Sequence, residues 1–201
     1  MEHSAELGHI ATEETTSGLN NRKLLMWAFL GSECLFFGSL ISTYMIYRGK
    51  SPTGPYPADV FNIPYTSVSA FVLLMSSLTM VLALAAIQRG DHRGLRIWLA
   101  ATASLGTVFL GGQFFEFTTF VREGLTIHTN LFGTTFFTLT GFHGAHVTVG
   151  VVMLVSLVVL SLRGGLRGDE DPLSVELVGL YWHFVDVVWI VIFTLVYLIP
   201  G

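Results

Sequence analysis

Five apolar stretches, each long enough to cross a bilayer as a helix, occupy most of this 201-residue chain. They run Leu24–Tyr47, Thr66–Ile87, Ile97–Val121, Leu131–Leu162 and Val178–Ile199. A hydrocarbon core about 30 Å thick takes about 20 apolar residues as helix. Backbone N–H and C=O groups find no partner in lipid, so helix is the form that satisfies them. Charged residues make up 12% of the chain against 52% hydrophobic, whereas soluble domains carry about a quarter charged. Five buried helices in a soluble protein of this size would leave too little polar surface to cover them. The sequence therefore predicts an all-α integral membrane protein, a five-helix transmembrane bundle.

The remaining composition excludes other classes. One cysteine, Cys34, rules out a disulfide scaffold and Cys-based zinc or iron–sulfur sites. In an apolar setting its thiol stays protonated, and it reads as a packing residue. A net charge of −4 argues against nucleic acid as a partner. Residues 1–23 are polar and acidic, with Glu2, Glu6, Glu13 and Glu14, and lack the basic start and apolar run of a signal peptide. They read as a disordered cytoplasmic tail ahead of a single transmembrane domain over 24–201.

The basic residues predict orientation. Arg22, Lys23, Arg89, Arg93, Arg96, Arg163 and Arg167 fall on one side, and Arg48, Lys50 and Arg122 on the other. Basic loops stay in the cytoplasm, so the N-terminus is expected inside and the C-terminus outside. The Pro- and Gly-rich segment 48–65 is then an external, irregular cap. Tyr44, Tyr47, Tyr65, Trp98 and Tyr197 lie near segment ends, as interfacial aromatics do. The runs Phe114, Phe115, Phe117 and Phe132, Phe136, Phe137 read as surface facing lipid or a partner, not as a cofactor box.

Six ionisable residues lie within the helices: Glu33, Glu116, Asp186, His143, His146 and His183. A charge at mid-bilayer costs about 2.5–3.5 kcal/mol or more, so these groups face protein or water, or stay neutral. At about 1.5 Å per residue, Glu33 and Asp186 lie at matching depths and could share a layer. His183 and Asp186 share a helix face, as do His143 and His146. Three readings are open from spacing: a metal or haem site built on the histidines, a proton relay through Glu33 and Asp186, or interhelical hydrogen bonds that fix register. The pairs Gly38 with Ser42, Gly141 with Ala145 and Gly144 with Thr148 offer small-residue strips for close packing.

Four runs carry a family resemblance. FFTLTGFHGAHVTVG (Phe136–Gly150) and LYWHFVDVVWIVIFTLVYL (Leu180–Leu198) resemble the signatures of subunit III of the haem-copper terminal oxidases. GSECLFF (Gly31–Phe37) is similar to that family's first core helix with its buried acid, and QFFEF (Gln113–Phe117) to its Glu-bearing segment. The resemblance extends from about Lys23 to the C-terminus and matches a bacterial short form that lacks two of seven helices. The chain departs from the family at Gln113, where a carboxylate often pairs with the acid at Glu116.

The resemblance implies a non-redox, non-catalytic subunit of an oxidase that reduces O₂ to water and pumps protons in a bacterial inner membrane. Haems and copper would belong to subunits I and II, leaving no cofactor and no metal site in this chain. The subunit would pack on subunit I, retain phospholipids, support proton uptake and slow turnover-linked inactivation. Glu33 would be the buried acid linked to proton uptake. Glu116, His143, His146, His183 and Asp186 would brace the bundle and contact lipid or water. Glu33 matches a glutamate of the cytochrome c oxidase branch, which favours cytochrome c over quinol as donor. SPTGPYPADVFNIPY (residues 51–65), in contrast, is similar to a loop of the short quinol oxidases. A place in a respiratory supercomplex is left open. The alternatives are a subunit III-like protein of a nitric oxide reductase, a free-standing proton-coupled transporter, and a haem-binding membrane cytochrome.

Overall fold

A computed structural model describes residues 20–51, 54, 61–166 and 171–199. Among the described residues the chain forms five long helices and no strand. These are α1 (Asn21–Tyr47), α2 (Ile63–Gln88), α3 (His92–Arg122), α4 (Leu131–Leu162) and α5 (Asp171–Ile192). The last continues as a wide π-helical turn over Phe193–Leu198. All five are long and apolar enough to cross a membrane, as the apolar stretches predict. The expected tail falls outside the described residues up to 19, while residues 21–23 belong to α1. Of the expected external cap, residues 52–53 and 55–60 likewise fall outside them, and residues 63–65 belong to α2.

The first three helices extend beyond the apolar stretches because their polar starts are capped. Asn20 accepts from Arg22 N, Asn62 from Tyr65 N, Asp91 from Gly94 N and Asn130 from Gly133 N. Each side-chain oxygen takes up one of the N–H groups left free at a helix start. α3 thus gains a polar first turn at His92–Arg96. α5 also starts earlier than its apolar stretch, at Asp171 instead of Val178. Gly49, Gly90, Gly124 and Gly164 follow the first four helices with φ from 69° to 88°, the left-handed geometry that ends a helix most readily at glycine.

The helices are not packed equally. α2, α3, α4 and α5 form a closed ring, each against the next, and α5 also packs on α2. α1 lies outside this ring against α4 and α5. It buries a narrow seam, Leu30, Phe37 and Tyr44, at seven-residue spacing. The rest of α1 is open, including Leu25, Trp27 and Leu35. Such a face is stable only against lipid or another apolar surface. Cys34 lies on this open face, not in a packed interior as expected.

Two further expectations are corrected. Phe114 and Phe115 are exposed, but Phe132 and Phe136 are buried. They meet Phe61, Phe120 and Tyr197 in one aromatic cluster at the end of the bundle that holds the α2 start. Tyr44 and Tyr197 are buried as well, so they are core aromatics near the helix ends, not interfacial ones. Of the small-residue strips, Gly38 and Gly141 have no neighbour within 4 Å of an added Cβ. Gly144 does pack closely, an added Cβ there standing 2.9 Å from Gln113 Oε1, and so do Gly106 and Gly150, where it would stand 2.5 and 2.7 Å from the Trp182 ring.

Candidate functional site

The polar side chains inside the bundle are distributed over its helix interfaces, not gathered in one place. Where α1 docks on α4, His146 Nε2 lies 3.2 Å from Glu33 Oε2. The contact sits among Phe36, Phe37 and Phe142, with the Phe37 ring 4.9 Å from the imidazole centre. Tyr181 of α5 donates to the His146 carbonyl at 3.1 Å. Both partners are mostly enclosed, with side chains 17% and 18% exposed.

His143 takes a different neighbour. It is fully buried inside the ring, where Nε2 lies 3.3 Å from the Val185 carbonyl of α5. Its imidazole stacks on Trp189 at 4.9 Å, and Phe109 of α3 meets it edge-on. Residues three apart on a helix differ by about 60° around its axis, and here that angle separates two interfaces. His143 Nδ1 and Trp189 Nε1 make no hydrogen bond.

The α2–α5 interface holds a third set. Ser77 Oγ lies 2.6 Å from His183 Nδ1. Asp186, one turn along, is buried beside Ser77, and neither of its carboxylate oxygens completes a hydrogen bond. The adjacent Ser76 accepts from Trp182 Nε1 at 2.9 Å. Glu33 faces α4 and Asp186 faces α2, so the expected layer of two acids does not bring them into contact.

Glu116 forms a fourth set toward the opposite end of α3. Thr66 of α2 donates to Glu116 Oε1 at 2.6 Å, and the Tyr197 phenol also faces the carboxyl. Gln113, one turn earlier, donates from Nε2 to the Thr140 carbonyl of α4 at 3.0 Å and packs flat against Gly144. The amide at 113 thus bonds a backbone carbonyl, an acceptor that a carboxylate there could not satisfy.

Chemically, this arrangement joins helices in pairs. Among the described residues no group of three His, Cys, Asp or Glu side chains could hold a metal ion. His143, His146 and His183 each take a different partner helix element or side chain. The sequence marked the six ionisable residues but did not pair them with Ser77, Thr66 or Tyr197. The one available signal was the adjacent pair Ser76–Ser77 midway along α2.

The fold and these contacts define a multi-pass helical membrane protein whose polar groups fasten one helix to the next. Residues 7–200 match the family model for cytochrome c oxidase subunit III, and the chain belongs to that family. It is 38% identical to cytochrome c oxidase subunit 3 of Bacillus sp. (strain PS3), over 89% of this chain and 86% of that protein. It is 35% identical to quinol oxidase subunit 3 of Bacillus spizizenii, over 98% of this chain and 97% of that protein. It is 41% identical to cytochrome c oxidase subunit 3 of Synechocystis sp., over 85% of this chain and 72% of that protein.

Proposed function

We propose that the chain is the accessory, non-redox subunit III of a proton-pumping haem-copper oxidase. The observation that carries this reading is the family match across residues 7–200. The geometry agrees with it in kind, because paired polar contacts between helices suit a bracing role better than an electron-transfer site. Subunit I is the proposed neighbour, with the open apolar face of α1 a candidate for protein or lipid contact. Subunit II completes the proposed complex, and haems and copper lie in those two partners, not here. Bound phospholipids are proposed as part of the assembled subunit.

The bacterial inner membrane is the proposed location, with the N-terminus in the cytoplasm as the basic residues favour. Residues 1–19 are proposed as a tail on a single membrane domain that starts with α1. Glu33 is proposed as the buried acid linked to proton uptake by subunit I, held by His146. Glu116, His143, His183 and Asp186 are proposed as structural. Relatives named for cytochrome c and for quinol are similar to this chain at 38% and 35% identity, so the proposed cytochrome c donor rests on Glu33, against the quinol-like segment 51–65.

Affinity purification of the chain in mild detergent tests the reading. Haem-bearing oxidase subunits should co-purify, and the complex should oxidise reduced cytochrome c faster than quinol. Recovery with a nitric oxide reductase would move the chain to that complex. Recovery without any haem-bearing partner would revive the transporter reading.

A further inference from the structure

We propose that a groove between α2 and α3 is a lipid site, taking one acyl chain of a glycerophospholipid with its ester carbonyl on the Ser69 hydroxyl. The groove holds about 360 Å³. Val68 and Val72 of α2 form one wall, Val108 and the Gly111–Gly112 pair of α3 the other, and Phe109 the floor. Phe109 is buried and meets His143 and Trp189 edge-on, so the core holds the floor in place. Val68 and Val108 are 65% and 61% exposed. The groove therefore opens sideways on two membrane-spanning helices, where lipid or another apolar surface lies.

Two adjacent glycines shape it. Glycine inside a helix weakens it relative to alanine, and only one of these two serves the chain's own packing. An added Cβ at Gly112 would stand 3.2 Å from both Ser69 Oγ and the Tyr65 phenol oxygen, whereas at Gly111 it would meet nothing within 4 Å. The space beside Gly111 is left for something outside the chain, and its width names the class. From Tyr65 to Val72 the groove runs about 10 Å at 1.5 Å per residue. Its volume then gives a width of roughly 6–7 Å. A helix with its side chains is about 10–12 Å across and does not enter; a hydrocarbon chain does.

The polar end of the groove fits the ester. Tyr65 donates to the Gly112 carbonyl at 3.2 Å, so its hydrogen is taken. Thr66, Ser67, Ser76 and Thr79 turn their hydroxyls to carbonyls three or four residues earlier, and Ser77 meets His183. Ser69 is the one hydroxyl of α2 with no partner among the described residues. A hydroxyl facing hydrocarbon without an acceptor is costly. A phospholipid offers acceptors in its ester carbonyls, where the headgroup gives way to hydrocarbon. α2 is 26 residues long, about 39 Å, close to the 40–45 Å of a bilayer with its headgroups. Ser69 lies about 9 Å in from the α2 start, just inside that boundary, and helical side chains lean back toward the N-terminus. The site gives a place to the bound phospholipids proposed above and rests on that reading only in that the chain spans a membrane.

The test uses the full chain in its membrane complex, in vesicles of phosphatidylethanolamine and phosphatidylglycerol. A trace of phosphatidylglycerol carries a photoreactive diazirine midway along one ester-linked acyl chain. After illumination, label on residues 65–72 and 108–112 should stand well above label on α1, α4 and α5. Gly111→Leu, which puts a side chain where the chain itself has none, should bring it down to the level of those helices. Ser69→Ala should lower it about two- to tenfold, the worth of one neutral hydrogen bond. A diether probe, which lacks the ester carbonyls, should show the same reduction on the unmodified chain, a readout that needs no variant to fold, and no further loss in Ser69→Ala. Label spread evenly over all five helices, or unchanged in Gly111→Leu, would overturn the site and leave annular lipid only. Equal labelling by the diester and diether probes would overturn the seat of the ester on Ser69. The label is compared within one chain, so this site and the oxidase reading fail separately, the latter by the absence of haem-bearing partners.

Discussion

Glu33 of α1 and His146 of α4 share one proton beyond the imidazole's first. His146 Nδ1 lies 2.7 Å from the Phe142 carbonyl, which only accepts, so Nδ1 carries a hydrogen. The contact of Nε2 with Glu33 Oε2 at 3.2 Å then needs a second one. The pair is imidazolium with carboxylate, or imidazole with carboxylic acid. Either way it fastens the middle of α1, which lies outside the helix ring, to the ring itself, in addition to Lys23–Glu176 and Arg48 at the helix ends. Polar pairs between membrane helices couple by about 0.6 kcal/mol on average and up to about 1.7 kcal/mol. The enclosed setting of this one puts it in the upper half of that range. A double-mutant cycle with Glu33→Gln and His146→Phe, read by reversible unfolding in detergent, should return that coupling, and additive single effects would contradict it.

Gly106 and Gly150 should be intolerant of a methyl group, and Gly38 and Gly141 indifferent to one. An added Cβ at the first two meets the Trp182 ring at 2.5 and 2.7 Å. Trp182 is 1% exposed and held by its bond to Ser76, so it cannot swing away. Overpacking of this kind costs about 1–3 kcal/mol. Thermal unfolding of the four Gly→Ala variants should separate the two pairs by several degrees. Equal midpoints would mean that the Trp182 ring yields.

The contrast shows what kind of information a sequence holds. The five spans were legible because lipid imposes one rule on every residue of a span, and apolar length alone meets it. The starts of α1, α2 and α3 were not, because Asn20, Asn62 and Asp91 are polar residues that prolong a helix by capping it, whereas α4 starts at Leu131 as its apolar stretch does. The ionisable residues stood out through rarity, but their partners did not. Whether His143 and His146 face one neighbour or two depends on where α4 is rotated between α1 and α5. Glycine spacing found the close approach at Gly144 but misled elsewhere for the same reason. Gly38 and Gly141 fit a small-residue pattern yet face open space, while Gly106 and Gly150 owe their role to a tryptophan on another helix.

Thr66 should matter to Glu116 through its hydroxyl alone. The 2.6 Å bond from Thr66 Oγ1 is a donor to a buried carboxyl on the neighbouring helix. Thr66→Val keeps the shape and removes the donor. Leaving a buried acceptor short of a partner costs about 1–3 kcal/mol. Thr66→Ser should recover most of that loss. Combined with Glu116→Leu, Thr66→Val should cost less than it does alone, because no carboxyl then remains to satisfy. Unfolding midpoints of these variants check the point, and a Thr66→Val cost that is the same in both backgrounds would assign it to packing.

Arg48 ties the end of α1 to the end of α5 at a place where the backbone itself is irregular. The helix widens to a π turn over Phe193–Leu198, closed by Ile199 N bonding Thr194 O at 3.2 Å. Carbonyls at a helix end lack partners within the helix. Arg48 Nη1 donates to Leu195 O at 3.0 Å, and Nη2 donates to Ile199 O. A guanidinium presents several donors in a fixed plane and can serve two carbonyls at once, which the single ammonium of lysine does less well. Hydrogen bonds to a charged donor contribute about 1.5–3 kcal/mol each when buried, and partial exposure here places the pair nearer the lower figure in total. Arg48→Ala should therefore cost about 1–2 kcal/mol, with Arg48→Lys recovering only part of it. The loss should be local. Amide hydrogen exchange should rise over residues 194–199 and at the end of α1 while the ring helices stay protected, and uniform acceleration along all five helices would show that Arg48 acts on the whole bundle instead.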